Sequence, residues 1–293
     1  MEWIWKPLKA AVARNTHSGV FYKGKLYIFG GCGPQSAPGS LCEVDPETGN
    51  VRQVEGSIPD RYSHSATVLG DSIYIFGGKD FFKRLNELWE YSFVKRSWSE
   101  IRVGSPPSAR TSHSVVAHND CLYVFGGLFT AAGQPDRFYN DLYEFSPALR
   151  RWTLLRSTGL QPPPLAYHSA VVLKHRMLVF GGISGVAKSN ALWSYSFESR
   201  EWSLVNVTGP CPEPRFCHTA VVSENAMYVF GGNSEVGSMN DLWSFDGNQE
   251  QWRCLRTVGS PPDPSAPEDT MLVHGGIHGK GCLGDLYALR MGP

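Results

Sequence analysis

No apolar run in this 293-residue chain approaches the length of a bilayer span, so a helical membrane protein is excluded. The first residues, Met1-Glu2-Trp3-Ile4-Trp5-Lys6-Pro7, lack a basic segment leading into an apolar core, and no secretion signal is expected. Charge of neither sign is in excess: 27 lysines and arginines balance 27 aspartates and glutamates. No global field therefore favours nucleic acid or an anionic membrane, and any charged binding surface must be local. Cys32, Cys42, Cys121, Cys211, Cys217, Cys254 and Cys282 are scattered, odd in number and without a C-x-x-C pair. That argues against a disulfide framework or a zinc site and for reduced thiols in the cytoplasm or nucleus. With no secretion signal expected, Asn206-Val207-Thr208 is a chance match to the glycosylation pattern.

What the chain has is aromatic residues, 12% of the total, and a recurring glycine pair behind a short apolar run. Leu26–Phe29, Ile73–Phe76, Leu122–Phe125 and Met227–Phe230 lead into Gly30-Gly31, Gly77-Gly78, Gly126-Gly127 and Gly231-Gly232. Met177–Phe180 before Gly181-Gly182 and Met271–His274 before Gly275-Gly276 are looser copies. Successive first glycines stand 47, 49, 55, 50 and 44 residues apart. A period of that size marks a repeat architecture, and residues 1–293 are expected to form a single domain.

In the second copy an alternating strand follows Arg61-Tyr62-Ser63-His64, turns at Gly70-Asp71 and returns through Ile73–Phe76. Asn86-Glu87-Leu88-Trp89 opens a third strand and Trp98 sits on a fourth. The third and fifth copies repeat these landmarks as Arg110, His113, Asp141 and Trp152, and as Arg215, His218, Asp241 and Trp252. The arginine always lies 16 residues before the first glycine. In the fourth copy Leu165 replaces the arginine and Ala191 the acid, while in the first Val51 replaces the tryptophan.

These residues resemble the kelch repeat, in the Arg-x-x-His-Ser class of the host cell factor and leucine-zipper-like regulator kelch domains. The resemblance covers essentially the whole chain and implies an all-β fold, a six-bladed kelch β-propeller with one four-stranded sheet per blade. The tyrosines before the glycine pairs and the fourth-strand tryptophans are expected to pack between blades. The last copy ends after Gly284–Arg290 with no fourth strand, and Trp3–Leu8 is a strand without an owner, so the N-terminal strand is expected to close the last blade. That blade also has a defect: 23 positions separate Trp252 from Gly275, where 29 separate Trp202 from Gly231. Its inner strand, around the proline-rich Ser260–Glu268, is expected to be missing or shortened.

Loops carry function on a rigid scaffold, and those after each Gly-Gly should share a face with those before each Arg-x-x-His. Arg14, Arg61, Arg110 and Arg215 would ring a channel mouth there, with Tyr62, Tyr167 and Phe216 beside them. Such a ring suits an acidic or phosphorylated peptide or a C-terminal carboxylate. The alternative is that each arginine is a repeat residue tying down a neighbouring loop or acidic side chain. The histidines at the fourth position recur too regularly for a metal site and should hydrogen-bond a backbone group in their own blade. Lys79, Phe81 and Phe82 on one long loop, and Arg137 and Tyr139 on the next, mix aromatic and basic groups as interface hot spots do. Their rings either face a partner or fold back onto the blade.

No nucleophile elbow, zinc-protease helix or phosphate loop with correct spacing is present, so no catalytic residue, cofactor or metal is expected. The resemblance implies a non-enzymatic, protein- or peptide-binding module. It would act as a scaffold, adaptor or substrate receptor, monomeric by itself, with no nucleic-acid or membrane partner. A place in a ubiquitin-ligase complex follows only from analogy between folds. The competing reading is a small-molecule or metal-dependent kelch enzyme using the same mouth.

Overall fold

A computed structural model describes residues 3–8, 14–33, 39–258, 270–278 and 281–291, with side chains described for 14–33 and 39–257. The described residues are all-β and contain no helix. Five sheets are built alike, each with an inner, second, third and outer strand, antiparallel and in chain order. They begin at Ser18–Tyr22, Ser65–Leu69, Ser114–His118, Ser169–Leu173 and Thr219–Ser223. The fourth sheet gains a short extra strand, Thr158–Gly159, running parallel to its outer strand Glu201–Leu204.

Five sheets, where six repeats were expected, thus show the complete pattern. The remaining sheet joins the two ends of the chain, in the order Thr257–Val258, Trp3–Leu8, Gly281–Met291, Thr270–His278. Its register reveals how the first strand fits. In the complete sheets the outer tryptophan lies opposite a fixed third-strand position: Tyr91↔Trp98, Phe145↔Trp152, Tyr195↔Trp202, Phe245↔Trp252. In the joining sheet that pair is Leu289↔Trp5, so the N-terminal strand occupies the outer-strand position. Val44↔Val51 fills the same position in the first sheet. Among the described residues, Thr270–His278 pairs only with Gly281–Met291. The expected remnant of an inner strand around Ser260–Glu268 lies outside the described residues.

The chain groups into two compact units, residues 1–102 with 256–293, and residues 103–255. The first holds the first two sheets and the joining sheet; the second holds the third, fourth and fifth. Within each unit the core lies between neighbouring sheets. Trp98 packs on Phe29 of the preceding sheet and on Tyr91 of its own, with centroids 5.5 and 5.1 Å apart. Trp202 does the same with Phe125 and Tyr195, and Trp252 with Phe180 and Phe245. The tryptophans therefore pack between blades, as their size and recurrence suggest. The second-strand tyrosines have a polar anchor too: Tyr27 and Tyr123 donate to Glu43 and Glu144 directly opposite, both at 2.9 Å.

The glycine pair is required at both positions. At Gly181 (φ +66°) a Cβ would stand 2.8 Å from the carbonyl oxygen of Arg215 and from the ring of His218, both in the next sheet. At Gly182 (φ +90°) it would meet Ala166 O at 2.8 Å and His168 Cβ at 2.9 Å, in the same sheet. One glycine admits the neighbouring blade and the other admits the blade's own first strand.

Candidate functional site

The 16-residue offset has a direct cause. The inner and second strands form a hairpin, and the arginine at its start reaches across to the carbonyl of the first glycine. Arg14, Arg110 and Arg215 donate to Gly30, Gly126 and Gly231 at 2.9, 2.9 and 3.0 Å, and Arg61 to Gly77 at 3.4 Å. Each of Arg61, Arg110 and Arg215 also donates through Nε to the carbonyl two residues before it. A third-strand carboxylate completes the set. Arg110 forks onto Asp141 at 2.5 and 2.9 Å, Arg215 onto Asp241 at 2.7 and 2.8 Å, and Arg61 meets Glu87 at 2.9 Å.

These three arginines are 0% exposed and Arg14 is 2% exposed. The expected ring of open guanidiniums is therefore corrected: Arg14, Arg61, Arg110 and Arg215 are buried framework whose donors face inward, the alternative reading of the repeat. Burial of a full charge requires such pairing. The fourth copy confirms the logic, since Leu165 and Ala191 replace both partners together and join one apolar cluster. In the first copy Ser40 stands at the acidic position, and Arg14 meets Gly30 O and Cys42 Sγ.

The recurrent histidines also differ from expectation. Their partner is a serine in the preceding sheet: Ser18 with His64 at 2.7 Å, Ser114 with His168 at 2.9 Å, Ser169 with His218 at 2.8 Å. Burial holds these imidazoles neutral. The values fall to about 3 for His64 and His218, where a neighbouring arginine adds to the effect, and to about 4 for His168, whose copy has no arginine.

What remains open on the loop face is built from the residues around the arginines. The residue after each arginine position bridges, backbone to backbone, to the residue after the glycine pair: Asn15↔Cys32, Tyr62↔Lys79, Thr111↔Leu128, Ala166↔Ile183 and Phe216↔Asn233. The two kinds of loop thus lie side by side. The next residue is left-handed in all five copies, at Thr16, Ser63, Ser112, Tyr167 and Cys217, with φ between 52° and 58°. Its N–H donates to the matching carbonyl of the preceding sheet, Ser63 to Thr16, Tyr167 to Ser112 and Cys217 to Tyr167, at 2.9 to 3.0 Å. Within each unit these links tie the start of one inner strand to the start of the next.

Tyr167 is the only large side chain in that set. A bulky residue at positive φ is conformationally costly. Its half-buried ring stands edge-on to Phe216 at 6.1 Å, and Lys188 Nζ lies 5.9 Å from the Phe216 centroid. Lys188 is itself tied to Glu235 of the next hairpin at 2.5 Å, a contact that sequence spacing does not reveal. In the first unit Tyr62 is half-buried beneath Lys79 Nζ at 4.9 Å and beside Phe81 at 6.0 Å. Phe81 and Phe82 are open to solvent. Arg137 is exposed and covers Tyr139, which is buried between it and Arg110 and so is not a contact surface.

Among the described residues no three His, Cys, Asp or Glu side chains form a group able to hold a metal. Nor is any helix there long and apolar enough to cross a membrane.

The profile of the KLHDC2/KLHL20/DRC7 Kelch-repeats domain matches residues 7–182 and 128–292. Kelch domain-containing protein 3 of Rattus norvegicus is 30% identical over 193 residues, 60% of this chain and 50% of that protein. Host cell factor 1 of Homo sapiens is 29% identical over 195 residues, 59% of this chain and 10% of that protein. The leucine-zipper-like transcriptional regulator 1 homolog of Drosophila melanogaster is 29% identical over 133 residues, 44% of this chain and 14% of that protein. The chain thus spans half or less of the curated relatives it matches. The chain belongs to the kelch-repeat family, and its sheets are the blades of an all-β kelch propeller.

Proposed function

We propose that this chain is a non-enzymatic module that binds a protein partner through a peptide segment laid on the loop face. The observation that carries this reading is the half-open Tyr167–Phe216 pair with Lys188 beside it, on a left-handed position where the other copies carry Thr16, Ser63, Ser112 and Cys217. Partly exposed aromatic rings beside a cation are common anchors of a recognition surface. The buried arginines set the loops in place, and the contact falls to Tyr167, Phe216 and Arg137 in the second unit and, taken separately, to Tyr62, Lys79, Phe81 and Phe82 in the first.

The reading extends to the whole chain. Residues 1–293 form one six-bladed ring whose last blade combines Trp3–Leu8 with the C-terminal strands, acting as a monomeric scaffold, adaptor or substrate receptor in the cytoplasm or nucleus. The relatives named for kelch domains support an interaction role; service to a ubiquitin ligase rests on analogy between folds.

The test is a random peptide library displayed against the purified chain and its Tyr167→Ser variant. Serine occupies the same position in two other blades, so the variant keeps the fold. Selected peptides should bind Tyr167→Ser about tenfold more weakly or worse. Equal binding by the two proteins removes the site.

A further inference from the structure

The turn at Asp80–Lys83 in the first unit is built to hold two phenylalanines in solvent. Asp80 Oδ1 accepts from the N–H groups of Phe82 and Lys83, both at 2.7 Å, and the Asp80 N–H donates back to Lys83 O at 3.1 Å. Leu85, buried at its base, donates to Gly78 O at 2.8 Å. Phe82 is nonetheless 94% exposed and Phe81 66%. Exposed aromatic surface on a fixed turn adds nothing to the fold, yet it lowers the ordering cost of binding.

The charges around it are unbalanced. Lys79 and Lys83 flank a single carboxylate in sequence, Asp80, one of whose oxygens closes the turn. Among the described residues neither Lys79 nor Lys83 forms an ion pair, and Lys79, partly buried against Tyr62 and beside Arg84, is held below its ordinary pKa first by burial and then by Arg84. Other blades differ here. Lys188 is neutralised by Glu235, and Arg137 lies over Tyr139 next to Asp136 in sequence. Val186 and Val236, also strongly exposed, belong to the hairpins that this Lys188–Glu235 pair ties together, whereas Val94 and Leu149 are single exposed side chains with no second exposed large apolar residue beside them in sequence.

Resting on the peptide-binding reading above, we propose that this turn is a docking site for an acidic segment that carries an aromatic or aliphatic side chain. The apolar side chain packs against Phe81 and Phe82, while its flanking carboxylates meet Lys79 and Lys83. Charge complementarity selects the acidic partner, and the paired rings select the apolar residue within it.

The experiment uses peptides selected from a random library on the intact chain, measured by fluorescence polarisation against Phe82→Ser, Lys83→Glu and Tyr167→Ser variants at low and high salt. The selected peptides should be net acidic with at least one apolar side chain. Phe82→Ser and Lys83→Glu should each weaken them about tenfold, and added salt should weaken them further. Both side chains are exposed, so unchanged melting temperatures will separate lost contact from lost fold. If the peptides need Tyr167 but tolerate Phe82→Ser and Lys83→Glu, the docking site falls while the loop-face reading stands. Selection of neutral or basic peptides also overturns it. So does Phe82-dependent sedimentation with phosphatidylserine vesicles in the absence of peptide binding, which reassigns the turn to a lipid surface.

Discussion

At the scale of single residues the most informative contrast is between Arg110–Asp141 and Leu165–Ala191. The same slot in successive blades is filled once by a buried ion pair and once by two apolar side chains. Removing one member of a buried pair leaves the other charge uncompensated, so Asp141→Ala should cost about 3 kcal/mol in chemical denaturation. Converting the slot to its neighbour's content, Arg110→Leu with Asp141→Ala, should recover most of that loss. Strictly additive single-mutant costs would contradict the role assigned to the pair. Arg14 supplies the reverse test. Among the described residues it forms no ion pair, and Ser40→Asp places a carboxylate at the acidic position; the melting temperature should rise, and a fall would show that the slot cannot admit the new charge.

The histidines give a pH dependence whose sign is fixed. His64, His168 and His218 have folded values of about 3, about 4 and about 3, depressed from 6.5, so below pH 6.5 the unfolded chain binds protons that the folded chain refuses. Their contribution is complete above pH 6.5 and is lost as pH falls toward the folded values, by about 2 kcal/mol per histidine at pH 5. Urea melts at pH 7 and pH 5 should differ accordingly, and a His168→Gln variant should show a smaller difference. An identical pH effect in that variant would show that His168 does not carry its share.

At the scale of the strand and sheet, the tryptophan position organises the interblade core. Trp202 is 1% exposed between Phe125 and Tyr195, and Trp202→Ala should cost about 4 kcal/mol by denaturant titration. A loss under about 1 kcal/mol would mean that the interface repacks and that the position is not a keystone of the core. This level was legible in the sequence because it is repeated: glycine pairs, alternating strands and tryptophans recur with one register. The arginines show where legibility stopped. Their constant spacing was visible, but whether a guanidinium at that spacing faces solvent or a glycine carbonyl depends on the hairpin's fold and not on its period. The histidine partners were hidden for a related reason. Ser18, Ser114 and Ser169 lie one full repeat upstream, 46 to 54 residues away, so reasoning within a single copy cannot find them. The Lys188–Glu235 contact joins two loops and follows no repeat rule at all.

At the scale of the molecule, the joining sheet depends on six residues from the far end of the chain. Trp3–Leu8 pairs along its length with Leu286–Met291, and its loss would expose the edge of Gly281–Met291. Deleting residues 1–8 should lower the melting temperature and broaden the transition in calorimetry; an unchanged, cooperative melt would show that this strand does not hold the ends together.

The serine–histidine link places the boundaries of the cooperative unit away from those of the sequence repeat. Gly126 and Gly181, which end their second strands, are each covered by the next copy's backbone and imidazole, Leu165 with His168 in one case and Arg215 with His218 in the other. A blade is therefore completed by its successor. Exchange of blades between kelch chains should succeed when the cut falls in the exposed turn between third and outer strands, such as Glu198–Arg200, and fail when it separates a glycine pair from the Arg-x-x-His that follows it. For this fold the exchangeable part is a junction between two sheets.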